Sequence, residues 1–584
     1  MGLLVSFVKL THLNKLFTIS LLLLLNANSV FAQKKHLEIM NLDVPDGMKF
    51  IKYAKEHKDS LSALREIQQY VLKMHESSYL EASMDTILFK KDSVTTYIHI
   101  GNKHNWSKLK SGNVPDEFLY KSGYKQKFYS QTRFSYRELS SLENRVIKYA
   151  ENSGFPFANI ELDSIELSQS YFSATLNYQP GPLIRFDTLA IVGTARVKRR
   201  FLESYLGVVP GALYNQQKVI NLERQLKQIQ YLKVIKSPEV FFINGKAQPV
   251  VFANVRKCNQ LDGFIGFQPG TSTSGKLLIT GEFNMNLKNL LQSGKELSIQ
   301  WKRFDVQSQL LKTSYYHPRV FHSNIDIKLN FNLLKQDTSF LALDRNAAIY
   351  LGVNAISKLK FFAGLKSNSA LGQNQTINKN GENYDFKYLN YGIGYTLTTL
   401  DDIFYPMKGW SLEFDISTGE KKILNYTPIN AETSIPANSM QWSIETYVQK
   451  FTHVGKKATL LNQFQGGTVQ SQNLVLSDLY RVGGLKTLRG FNENNFYVSD
   501  YAVYTLEYRY FTDATSYVML FANQAYIKNN INNNLTDWPI GFGTGISFST
   551  KAGIFQFIYA LGYSKDQPLN INLSKIHFGL VSRF

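Results

Sequence analysis

The stretch Phe555-Gln556-Phe557-Ile558-Tyr559-Ala560-Leu561-Gly562-Tyr563 alternates between two kinds of residue. Phe555, Phe557, Tyr559, Leu561 and Tyr563 form one set, large and mostly apolar; Gln556, Ala560 and Gly562 between them are small or polar. A period of two is the mark of a β-strand, whose successive side chains point to opposite faces. Such a strand separates two unlike environments, one apolar and one wet. The final segment repeats the pattern, with Ile576, Phe578 and Leu580 on one face and His577, Gly579 and Arg583 on the other.

Working back from there, the same alternation continues to Asp262, in segments of ten or so residues separated by Gly, Asn, Asp and Pro turns. About sixteen such segments can be placed, an even count of the kind membrane barrels have. A soluble β-sandwich would also bury an apolar face, but it needs a second hydrophobic layer, which this region lacks. The chain carries 34 Tyr and 40 Phe at a mean hydropathy of -0.21. Past residue 32 no apolar run is long enough for a membrane helix, which leaves crossing by strands open. The expected fold is therefore α+β modules followed by an all-β transmembrane barrel of about 16 antiparallel strands, the barrel occupying residues 259–584.

The first 32 residues read as an export leader. Lys9 and Lys15 precede the apolar run Ile19 to Leu25, and Val30-Phe31-Ala32 forms a small-residue cleavage site before Gln33. Cys258 is the only cysteine, so no disulfide can staple the chain, and it is expected to be buried as a small apolar residue. The net charge of +20 is scattered rather than clustered. For an exported chain that points to anionic lipid rather than nucleic acid, and no nucleic-acid partner is expected.

Between leader and barrel the pattern mixes helices and strands. Apolar residues recur at helical spacing three times: Leu64, Ile67, Val71, Met74; then Leu139, Leu142, Val146, Tyr149; then Val219, Leu222, Leu226, Ile229. Each set is followed by an aromatic, Tyr79, Phe155 and Tyr231, at intervals of 76 residues. A fixed period implies a repeated module. The last copy reads β-α-α-β-β, from a strand at Phe186 to Val192 through two helices to strands at Val234 to Ile243 and Val250 to Val255. These copies resemble POTRA modules, the polypeptide-transport-associated units that precede certain outer-membrane barrels. They are assigned to residues 106–180 and 181–258, with a partial module at 33–105 that lacks a convincing opening strand.

One segment breaks the alternation of the barrel region: Val482-Gly483-Gly484-Leu485-Lys486-Thr487-Leu488-Arg489-Gly490-Phe491-Asn492-Glu493-Asn494. Leader, modules, barrel and this segment together resemble the superfamily of BamA, TamA and the two-partner-secretion transporters. The most specific shared motif is an arginine-glycine-aromatic tripeptide in the sixth extracellular loop, here Arg489-Gly490-Phe491. A second shared element is Asp401-Asp402-Ile403-Phe404-Tyr405-Pro406-Met407-Lys408-Gly409-Trp410, a turn that introduces a strand. The terminal aromatic Phe584 resembles the sorting signal of outer-membrane barrels. With two or three modules, fewer than a central BamA would carry, a TamA-like member is expected.

The resemblance implies that the loop enters the lumen, where its arginine meets acids on later strands. An arginine fork suits carboxylates, and glycine lets the backbone pass close to the wall. Glu507 fits, because Tyr504, Leu506, Tyr508 and Tyr510 alternate outward and leave Glu507 and Arg509 inside. On the next strand the family's acid is replaced by Asn523, which accepts a hydrogen bond without bringing charge; Asp500 and Asp513 are further acids to consider.

The resemblance also implies a mechanism. Unfolded outer-membrane or secreted proteins would add a strand to open module edges, and a seam between the first strand (Asp262 to Pro269) and the last (Ile576 to Phe584) would open sideways. Gly263 and Gly266 on the first strand, facing Phe578 on the last, weaken packing there; ordinary barrel curvature explains the same glycines equally well. Outer-membrane lipid is an expected partner, and a periplasmic or inner-membrane partner of the modules is left open. The modules would lie in the periplasm and the barrel in the outer membrane. The alternative functions are a secretion pore for one exoprotein, or a passive porin or surface antigen. No cofactor, metal or enzymatic activity is expected. The ten histidines are scattered, no G-x-S-x-G or H-E-x-x-H motif occurs, and Ser272-Thr273-Ser274-Gly275 has no local histidine.

Overall fold

The computed structural model describes residues 34–45, 51–168, 171–268, 278–303, 307–371, 384–424, 436–531, 535–550 and 553–581. The leader expected at 1–32, the segment Ser272-Thr273-Ser274-Gly275, and Phe584 lie outside these residues. The chain divides into two compact units, 1–183 and 184–584.

The first unit holds two small α/β sheets. In one, the strand order is Glu56–His57, Lys35–Asn41, Ser93–His99, Ser83–Phe89, with Lys35–Asn41 parallel to Ser93–His99. An opening strand therefore exists where the sequence offered no clear one. It is short and reads as polar, and its pairing, together with the burial of Leu37, defines it. The helix Ser60–Glu76 covers this sheet and starts at Asp59, whose carboxylate accepts from the Ser62 amide at 2.7 Å. Its buried stripe is Ala63, Ile67, Tyr70 and Met74. The face is thus rotated from the expected one, with Tyr70 replacing Val71.

The second sheet runs Asn105–Lys110, Tyr171–Gln179, Asn159–Leu167 beneath helix Tyr136–Asn152, which buries Leu139, Leu142, Val146 and Ala150. Trp106, Phe134 and Phe172 pack ring against ring at its centre. A third module opens the second unit. Its strands Leu232–Ile243 and Lys246–Val255 form a hairpin, and Arg185–Phe186 and Ala190–Val192 run parallel to the latter. Helices Arg199–Leu206 and Gln216–Lys227 close the core, which includes the buried Cys258.

From Gln260–Gln268 to Lys575–Val581 the second unit forms an antiparallel sheet of 17 strands among the described residues. Leu535–Asp537 is a three-residue strand laddered to the end of Tyr517–Asn529, and setting it aside leaves sixteen full strands among the described residues. The sheet curls into a barrel whose first and last strands come within 8 Å at their Cα atoms, with no ladder between them among the described residues. Alternation places Phe331, Phe361, Tyr391, Trp442 and Phe464 on the exposed outer face. Gln300, Lys312, Asn332, Asn390 and Asp415 line a polar cavity inside.

The third module is fixed to one end of the barrel. The Lys198 amide donates to Gln292 O at 2.7 Å, Ser204 Oγ to His322 O at 2.8 Å, and Gln228 Nε2 to Thr398 O at 3.1 Å. Gln292 and His322 lie in barrel turns and Thr398 ends strand Phe386–Thr398, so this end carries the third module and the opposite end is the far end.

Candidate functional site

The segment 472–499 leaves strand Ala458–Ser471 at the far end and returns as strand Asp500–Phe511. Between them a short hairpin, Tyr480–Val482 with Phe496–Val498, carries the loop into the lumen. Gly483 and Gly484 turn with φ of +124° and +91°, conformations that a side chain would strain.

Arg489 lies near the tip and is 8% exposed. Its Nη1 donates to Glu507 Oε2 at 2.7 Å, and Glu507 is 3% exposed. Arg509, two residues on and therefore on the same strand face, donates Nε to Glu507 Oε1 at 2.6 Å. One carboxylate is thus shared by two guanidiniums. The Arg489 guanidinium also lies 3.8 Å from the ring centroid of Phe521, and that of Arg509 lies between Phe451 and Tyr517, at 5.3 and 5.0 Å.

Gly490 has φ of +93° and presses backbone to backbone on the wall. A Cβ there would collide with Leu561 O, and one at Gly541 would collide with Arg489 O. Gln567 Nε2 donates to both Gly490 O and Gly562 O, at 3.2 and 3.1 Å. Phe491 is fully buried, edge-on to Phe496 at 5.1 Å, in a cluster with Val482, Leu488, Val498 and Ile527.

Other candidates stand elsewhere. Asn523 is buried on the same wall, but its Nδ2 donates to Thr505 Oγ1 and its Oδ1 has no partner among the described residues, so it does not pair with Arg489. The pairing fails because Asn523 is one inward position further along its strand than Phe521, which sits opposite Glu507. Asp500 bonds Thr468, Ser499 and Asn530, and Asp513 bonds Thr515 in a turn; neither reaches Arg489. At the seam, Gly263 pairs with Phe283, and a Cβ there would stand 2.7 Å from Glu282 O. Gly266 pairs with Thr280, and Phe578 with Phe557.

Sequence reasoning missed a second anchor on the same loop. The Asp478 side chain is fully buried and bonds both Lys421 and Lys366, the latter at 2.9 Å. Lys421 also donates to Asn473 O at 2.7 Å, and Lys366 to Ser477 O at 2.6 Å. Only the alternation of Lys366 and Lys421 on inward positions could have signalled it.

The second sequence element has a clear structural role. Asp401 Oδ1 accepts from the amides of Met407 and Lys408, closing the turn. Asp402 accepts from the amides of Phe404 and Tyr405, and Arg256 grips it bidentately at 2.9 and 3.2 Å, stacked 4.5 Å above Phe404. Burial pushes the Asp402 carboxyl up, but the hydrogen bonds from Arg256 and these amides prevail and hold it below the usual carboxylate value.

Two solved structures resemble the whole arrangement. CdiB from Escherichia coli matches over 90% of this chain and 98% of its own, with a TM-score of 0.53 at 13% identity. CdiB from Acinetobacter baumannii matches over 89% of this chain and 97% of its own, with a TM-score of 0.54 at 12% identity. At such identities the likeness is one of fold. No curated protein matches the chain significantly. The Omp85 superfamily domain matches residues 289–584, more than half of the sequence, and the chain belongs to the Omp85 superfamily.

Proposed function

We propose that the protein is an assembly factor that receives unfolded clients on its N-terminal modules and inserts them into the outer membrane through the barrel seam. Family membership supports outer-membrane protein insertion or secretion in general. The observation that carries the finer reading is the seam. The end strands Gln260–Gln268 and Lys575–Val581 are neighbours without a ladder among the described residues, so each has a backbone edge on which a client strand can form. The module sheets support the capture step. Ser83–Phe89, Asn159–Leu167 and Leu232–Ile243 are each edge strands with one partner among the described residues, and they expose Phe89, Ile165, Leu167, Phe241 and Ile243. Main-chain pairing on such edges binds clients without demanding a particular sequence.

In this reading Arg489 holds the loop against the last strands, so the loop keeps the wall beside the seam in register while the seam itself opens. The work is mechanical, with no bond made or broken. The test is a quantitative outer-membrane proteome after depletion, beside a strain carrying Arg489→Ala. Loss of many unrelated barrel proteins in both is expected. Loss of one secreted protein with all barrels intact would make the protein a dedicated secretion pore and refute the assembly reading. Unaltered growth and proteome after deleting residues 34–257 would leave only a passive barrel.

A further inference from the structure

Residues 120–137, YKSGYKQKFYSQTRFSYR, hold Lys121, Lys125, Lys127, Arg133 and Arg137 and no acidic residue. They run from the end of helix Asp116–Ser122, through Gly123 in the left-handed region, across a short turn of helix at Gln126–Tyr129 and into helix Tyr136–Asn152. Two aromatics of this stretch, Tyr129 and Phe134, are buried in the module core. Three others face outward: Tyr120 is 80% exposed, Phe128 53% and Tyr136 44%. Lys121 and Lys127 lie over the rings of Tyr120 and Phe128, at 5.9 and 5.5 Å. The close basic–acidic contacts of this unit, among the described residues, are Lys34–Glu56 and His99–Asp43, both remote in sequence from the stretch.

Exposed aromatics are costly in water, and paired with uncompensated lysines they make a surface with two complementary needs. The rings suit the boundary between head group and acyl chain, and the ammonium groups suit anionic phosphates. We infer that this surface of the second module binds an anionic lipid membrane. Nucleic acid also suits basic-aromatic stretches. The lipid is favoured because the same chain carries a membrane barrel, and covalent continuity keeps a bilayer at high effective concentration. Such binding would place the client-receiving edge strands of this module close to the membrane surface.

The experiment uses the full chain in proteoliposomes, with Cys258→Ala and Gln126→Cys carrying an environment-sensitive nitrobenzoxadiazole label. Gln126 is exposed and lies between the lysines. Adding phosphatidylglycerol to phosphatidylcholine should shift the emission to the blue. Each lysine near an anionic surface contributes about fivefold in binding, so Lys121→Gln/Lys125→Gln/Lys127→Gln should weaken the shift by about 100-fold in anionic-lipid requirement. Tyr120→Ser/Phe128→Ser should reduce the shift as well. An equal charge loss at the exposed Lys90, Lys91 and Lys108 should leave it unchanged. Emission indifferent to phosphatidylglycerol overturns the inference, as does equal loss with the control lysines. A shift produced by single-stranded DNA and not by phosphatidylglycerol would reassign the surface to nucleic acid.

Discussion

Replacing Arg489 by alanine isolates the loop anchor. The substitution removes one of the two guanidiniums on the Glu507 carboxylate and leaves Arg509 on Oε1 at 2.6 Å. Breaking a buried ion pair outright costs roughly 3–5 kcal/mol, and the surviving Arg509 bond should reduce that to about 2 kcal/mol. Loss of the guanidinium from its position 3.8 Å over Phe521 adds about 1 kcal/mol. The sum, about 3 kcal/mol, is a change of about 150-fold in the ratio of docked to released loop. Hydrogen exchange followed by mass spectrometry reads this ratio directly. The amides of the hairpin Tyr480–Val482 and Phe496–Val498 should exchange about 100-fold faster in the variant, while those of Gly409–Ile423 and Asn438–Val454 stay at parent rates. Arg489→Lys should fall between, since it keeps the charge but loses the planar fork. Unchanged hairpin exchange would refute the anchor. Equal acceleration throughout the barrel would refute its being local to the loop.

Other substitutions probe the rest of the arrangement. Gly541→Ala places a methyl against the Arg489 carbonyl oxygen without forcing a strained φ, so it should release the tip and open the loop to protease, as should Gly490→Ala, whose methyl would meet Leu561 O. Asp478→Asn leaves Lys366 and the buried Lys421 without a carboxylate, which should cost on the order of 3 kcal/mol and expose residues 473–478 to protease while the Arg489 tip stays docked. Arg256→Ala should weaken the junction of third module and barrel by roughly 1 kcal/mol, the pair being partly exposed, seen as faster cleavage near residue 256. Because the Asp402 carboxyl titrates below its unfolded value, that contribution is present above about pH 4 and is lost as pH falls further. The difference between parent and Arg256→Ala should therefore be flat from neutral pH downward and close only in strong acid.

The barrel was legible because its signal is repeated. A period of two over many segments survives local exceptions, and the outward Tyr504, Leu506, Tyr508 and Tyr510 fix by elimination that Glu507 points inward. The Arg489–Glu507 contact could be anticipated for the same reason, with a motif added. Asn523 went astray because contact across strands depends on register, and a one-pair offset puts Phe521, not Asn523, opposite Glu507. The opening strand Lys35–Asn41 was missed because parallel pairing with a distant segment, not local alternation, defines it. Asp478 was invisible for a stronger reason. Its partners lie 112 and 57 residues away, and nothing in its own neighbourhood marks it.

The two anchors share one design with the charges exchanged. At the tip the loop supplies a cation, and the wall supplies the shared carboxylate with a second cation; nearer the far end the loop supplies the carboxylate and the wall both cations. Each triad carries one excess positive charge in a largely dry site, which Coulomb attraction to a single carboxylate does not cancel. The excess rests on aromatic faces: Phe521, Phe451 and Tyr517 for the arginines, and Phe386 and Tyr384, at 4.1 and 5.4 Å, for Lys421. This gives the inward rings beside the two triads a role in holding charge. It also sets an expectation that ion pairing alone would not: Phe386→Leu, which keeps apolar volume but removes the ring, should loosen the Asp478 anchor by about 1 kcal/mol. Hydrogen exchange at residues 473–478 would read it. Parent-like exchange in that variant would mean that the carboxylate and the Asn473 and Ser477 carbonyls hold both lysines without the ring.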